Sequence, residues 1–85
     1  MQQFTYTITN PVGIHARPAG LLVKIAQALD SEVTIQVGGK SASARKLLQL
    51  MTMGIGQGDT VTVRIQGGDE ENSRRVMEQF FRENL

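Results

Sequence analysis

Eighty-five residues suffice for one compact domain, expected to span 1–85, because two would each fall near the ~40-residue floor for unaided folding. There is no cysteine and only one histidine, which excludes disulfides, thiolate nucleophiles and multi-histidine metal sites, so no metal or other cofactor is expected. Nine Lys and Arg against eight Asp and Glu give a net charge of +1, without the basic excess that favours nucleic acid.

The charge is unevenly placed. Residues 1–46 hold five of the basic residues and only two acids, while residues 47–85 hold four basic residues and six acids. A mildly basic first half suits an anionic ligand or partner. No apolar run approaches the ~18 residues of a membrane span, and MQQFTYT lacks the basic and apolar regions of a signal peptide. A cytoplasmic protein without membrane insertion is expected.

Phe4 to Thr9 alternates apolar and β-branched polar residues, which predicts a half-buried strand. Asn10-Pro11-Val12-Gly13 then breaks it with turn chemistry. From Pro18 to Leu29, apolar residues at Leu22, Ile25, Ala26 and Leu29 recur at spacings of three and four, predicting an amphipathic helix. Pro18 fits its first turn, where a missing N–H costs nothing. Glu32 to Val37 alternates again and ends at Gly38-Gly39, a hairpin signal, so Lys40 to Ala44 reads as the return strand.

Lys46 to Met53 reads as a short second helix stopped by Gly54. Asp59 to Ile65 is the fourth strand. After Gly67-Gly68, Asp69 is placed to cap a last helix, with Glu70 and Glu71 in its first turn and Val76, Met77, Phe80 and Phe81 as its apolar stripe. The order is β-α-β-β-α-β-α. Strands with one apolar and one polar face predict an α+β two-layer sandwich: a four-stranded antiparallel sheet with three helices on one face.

The stretch from Asn10 to Ala19 places the only histidine at the entrance to the first helix. The first N–H groups of a helix lack intrahelical partners and carry partial positive charge, so an anion is welcome there. Arg17 adds a guanidinium suited to phosphate oxygens, and imidazole is itself a nucleophile. Gly13 lets the loop approach closely. No second histidine, cysteine or nearby acid accompanies His15, which speaks against hydrolysis and leaves room for a group carrier. Taken alone, a His-x-Arg-Pro reads more simply as a cap or packing residue.

The run Pro11-Val12-Gly13-Ile14-His15-Ala16-Arg17-Pro18-Ala19 resembles the active-site signature of HPr, the histidine-containing phosphocarrier of the bacterial phosphoenolpyruvate:sugar phosphotransferase system. Gly39 to Ala44, the helix 46–53 ending in Gly54-Ile55, and the Gly58 to Ile65 strand also resemble HPr segments in order and spacing. The resemblance implies that His15 accepts a phosphoryl group, on Nδ1, from phosphorylated Enzyme I and passes it to enzyme IIA domains of sugar permeases. It implies that Arg17 assists by charge and that the N–H groups of Ala16 and Arg17 contact the phosphate. A nitrogen-related regulatory carrier of the same family is the alternative; the Lys40–Ala44 stretch looks more like the sugar branch.

Leu47, Leu48, Leu50, Met51 and Met53 supply more apolar positions than one buried stripe needs. Leu50 with Leu47 or Met53 is expected to face the sheet, leaving Leu48 and Met51 outward as an adaptable apolar patch. The family resemblance makes this a docking surface, expected to comprise Gly20, Lys24, Gln27, Arg45, Lys46, Leu47, Leu48 and Met51 on a monomer. Many HPr proteins carry a kinase-regulated serine where this chain has Lys46. Ser41 and Ser43 match that site poorly, so serine regulation is not expected.

Overall fold

Alternation decides which face of each strand turns inward. The computed structural model describes residues 1–85, with β1 (Gln2–Thr7), α1 (Ala16–Ala28), β2 (Glu32–Val37), β3 (Lys40–Ser43), α2 (Leu47–Thr52), β4 (Thr60–Gln66) and α3 (Glu70–Asn84). The sheet runs β1-β4-β2-β3 and is antiparallel throughout. Val33 and Ile35 of β2 and Val61, Val63 and Ile65 of β4 are buried on one face. Thr34, Thr62 and Arg64 point to the other. The two-layer α+β reading holds.

The helices close over the apolar face. Leu22 and Ala26 of α1, Leu50 of α2, and Met77 and Phe81 of α3 are all fully buried in one cluster of 19 residues. Phe81 receives Phe4 and Tyr6 of β1 edge-on, with ring centroids 5.9 and 5.6 Å away. Such pairs add to the gain from burial alone. No helix is long and apolar enough to cross a membrane.

Element ends differ from the sequence reading by one or two residues, and each shift has a cause. The first strand begins at Gln2 because Gln2 and Gln3 pair with Ile65 and Arg64 of β4. It ends at Thr7 because Thr9 and Asn10 donate their N–H groups to the carbonyl oxygen of Leu85, at 2.6 and 2.8 Å, and leave the sheet. The first helix begins at Ala16, two residues before Pro18, so the proline occupies its third position and still needs no N–H. Met53, not Leu47, joins Leu50 in the core.

Candidate functional site

His15 is the N-cap residue of α1 by its backbone and not by its side chain. Its φ and ψ of −118° and −173° are extended, its carbonyl accepts the Ala19 N–H at 2.9 Å, and its imidazole makes no capping hydrogen bond. A Ser, Asp or Asn at this position would spend its side chain on the first-turn amides. Histidine here leaves those of Ala16 and Arg17 free, Pro18 has none to offer, and no acidic residue occupies the first turn. His15 is half-buried while Ala16 and Arg17 are exposed. The helix end is bare and faces solvent.

Two anchors fix the loop that carries His15. On one side Ile14 donates its N–H to the Ile55 carbonyl at 3.0 Å. Gly13, at φ +74°, lies against the same segment: a Cβ there would come within 2.6 Å of the Gly56 Cα and nearer still to the Ile55 oxygen. Glycine is therefore required both for backbone conformation and for space. On the other side Asn10 ties the loop to the end of α3. Its Nδ2 donates to the Asn84 carbonyl at 3.2 Å, its Oδ1 accepts the Val12 N–H at 2.9 Å, and its carbonyl accepts the Gly13 N–H at 3.0 Å.

His15 and Arg17 share a hollow with Asn10, Pro18, Leu21 and Asn84. The sequence reading placed His15 and Arg17 side by side, and both line this hollow. It treated Asn10 only as a turn residue and passed over Leu21 and Asn84. An Asn two residues before a backbone amide signals an Asx turn, so Asn10 was findable. Asn84 was not, because nothing local marks a residue 74 positions away as its partner.

The anticipated docking residues fall on two neighbouring helices. Arg45, just before α2, reaches the end of α1, while Ile55, just after α2, binds the start of α1. The two helices therefore lie antiparallel, side by side. On α2, Leu48 is 78% exposed, Met51 41% and Leu47 38%. Lys46 is exposed beside them, as are Lys24 and Gln27 on α1; Gly20 is half-buried.

Arg45 departs from the expectation of a charge on the rim of that patch. Its guanidinium turns toward α1 and donates to the carbonyls of Leu29 at 2.9 Å, Ser31 at 3.2 Å and Ala26 at 3.4 Å. The last carbonyls of a helix lack intrahelical donors and carry partial negative charge, which attracts a cation. The patch keeps Lys46 and Lys24 as its outward charges.

A family model described as the PTS HPr component phosphorylation site matches residues 2–83. Among solved structures, the histidine-containing phosphocarrier protein of Mycoplasma matches with a TM-score of 0.89 at 32% identity, covering 93% of this chain and 90% of that one. The HPr-C-His protein of Thermoanaerobacter tengcongensis matches at 0.90 and 30% identity, covering 96% and 92%. A phosphocarrier protein HPr from Bacillus anthracis str. Ames matches at 0.87 and 26% identity, covering 94% and 95%.

Proposed function

The chain belongs to the HPr family of the phosphotransferase system, and from that membership we propose that it carries a phosphoryl group on His15. Phosphorylated Enzyme I is the donor and enzyme IIA domains of sugar permeases are the acceptors. The protein works as a cytoplasmic monomer. The observation that carries this reading is the free imidazole standing at a helix end whose first amides are left unpaired.

The chemistry follows from that arrangement. A ring nitrogen of His15, Nδ1 in this family, attacks phosphorus with its lone pair. The bond between phosphorus and the donor breaks, and its electron pair leaves with the donor. The amides of Ala16 and Arg17 and the Arg17 guanidinium receive the phosphoryl oxygens. The two amides are fixed by the helix before the group arrives, so their reorganisation costs little at the moment of transfer. The anchors at Asn10 and Gly13 fix the backbone from which the imidazole projects.

The exposed Leu47, Leu48 and Met51, with Lys24, Gln27, Gly20 and Lys46, form the docking surface for both partners. Arg45 serves that surface by holding α2 against α1. Incubation with phosphoenolpyruvate and Enzyme I should add one acid-labile phosphoryl group to the wild type and none to His15→Ala. Equal labelling of the two proteins would remove His15 from the role.

A further inference from the structure

Hydroperoxides oxidise sulfur first, and this chain carries sulfur only in its four methionines, with no cysteine and no tryptophan to compete. The fold treats those sulfurs differently. Met77 is fully buried and Met53 is 7% exposed, both inside the common core. Met1 is 72% exposed and Met51 41%. A peroxide must reach the sulfur to react, so Met1 and Met51 are the two open to it.

These two methionines sit at opposite ends of the molecule. The Met1 ammonium lies 3.0 Å from Glu70, at the start of α3. The other end of that helix, 15 residues and about 22 Å away, is the one tied to the His15 loop through Asn84 and Asn10. Met51 lies in the last turn of α2, four residues before Ile55, whose carbonyl accepts the Ile14 N–H next to His15. Leu47 and Leu48, four and three residues earlier, are its neighbours on the helix surface and are exposed with it. Met51 is thus the oxidisable member of the apolar patch, at the end of α2 nearer His15.

Oxidation changes what that patch can accept. A thioether is apolar and adaptable, whereas a sulfoxide is polar. A partner covering Leu47, Leu48 and Met51 with apolar groups would bury the new oxygen without a hydrogen-bond donor, which is unfavourable. We propose that Met51 is a modification site: a hydroperoxide oxidises its sulfur, and the sulfoxide switches off docking while leaving His15 chemically intact. With hydrogen peroxide, the sulfur lone pair attacks one oxygen, a sulfur–oxygen bond forms and the oxygen–oxygen bond breaks. The departing hydroxide takes the proton of the transferred oxygen and becomes water. Sulfur loses two electrons and the peroxide gains them. The inference rests on the docking reading of the α1–α2 surface and adds an off-state to it.

The test uses the full chain and hydrogen peroxide under native conditions. Each methionine is read by fragmentation mass spectrometry, and phosphoryl transfer is measured from phosphorylated Enzyme I and from phosphoramidate. Met1 and Met51 should gain oxygen well before Met53 and Met77. The KM of the oxidised carrier with Enzyme I should rise about tenfold, with melting and phosphoramidate labelling of His15 unchanged. In Met51→Leu, whatever its starting KM, peroxide should change nothing although Met1 is still oxidised. Oxidation of Met53 or Met77 as fast as Met51 overturns the site. An unchanged KM with Met51 fully oxidised overturns the switch, and so does an equal rise in Met51→Leu, which places the effect elsewhere. Slowed phosphoramidate labelling overturns it too, by showing damage at His15. An untreated wild type that takes no phosphoryl group from Enzyme I overturns the carrier reading and the switch with it, while the mass map still decides whether Met51 is the oxidised site.

Discussion

The two long helices begin in opposite ways. At the start of α3, Asp69 accepts the Asn72 N–H at 3.2 Å, Glu70 and Glu71 occupy the first turn, and Glu70 accepts the Gly67 N–H at 2.7 Å. At the start of α1 there is no side-chain cap and no acid, only His15 and the exposed Arg17. A side-chain cap contributes about 1 kcal/mol and a first-turn carboxylate a further ~0.3–1 kcal/mol. The chain forgoes that stabilisation at one helix and takes it at the other. An end already neutralised by its own carboxylates has little left for an outside anion, and the bare end is the one that carries His15.

The comparison can be broken at the loop that presents the bare end. Gly13→Ala puts a Cβ against Ile55 and Gly56 at a positive φ, so the loop must shift. A cost of about 1–3 kcal/mol is expected in chemical denaturation, together with slowed phosphoryl transfer to His15.

The sharpest reciprocal test makes the first helix resemble the last. Ala16→Glu places a carboxylate in the first turn of α1, where the dipole stabilises it by ~0.3–1 kcal/mol. The same charge repels the incoming phosphoryl oxygens. Melting temperature should rise slightly while transfer from Enzyme I falls about tenfold, equivalent to ~1.4 kcal/mol in the transition state. A variant that is both more stable and fully active would show that the bare end has no catalytic purpose.

Asp69→Ala is the converse. Loss of the cap should cost about 1 kcal/mol in denaturant unfolding and leave phosphoryl transfer unchanged. A slowed transfer would mean that the two ends are coupled through the core, in conflict with their separate roles.

The smallest effect is acid dependence. The Glu70 carboxyl is held below its ordinary value, first by the Gly67 N–H and then by the Met1 ammonium at 3.0 Å. A carboxyl depressed on folding contributes stability above its unfolded value, and that contribution disappears as pH falls through the folded value. Melting of the wild type should therefore drop between about pH 5 and pH 3 more than that of Glu70→Gln. Identical acid limbs for the two proteins would show that the two contacts of Glu70 do not persist in solution.

Much of the fold was legible along the chain. Alternation in Glu32–Val37 and Thr60–Gln66 places side chains in or out with period two, and that follows from strand geometry alone. Asp69 as a cap and Gly54 as a helix stop, at φ +64°, rest on hydrogen bonds and dihedrals within one turn. The His-x-Arg-Pro at a helix entrance was visible for the same reason: every group it needs lies within four residues.

What the sequence could not decide are the partnerships of long side chains with distant backbone. Arg45 carries a charge that suits a docking rim, but its guanidinium instead binds carbonyls 14 to 19 residues earlier, at the end of α1. Leu21 stands off the buried stripe of α1 and says nothing by itself. Only the approach of Val76 and Phe80 from α3 turns it into the lip of a groove beside His15. Periodicity and capping are set by neighbours within a helical turn or a strand pair. The contacts of Asn10 and Arg45 span as many as 74 residues, and they exist only once burial of the common core has brought the ends of three helices together.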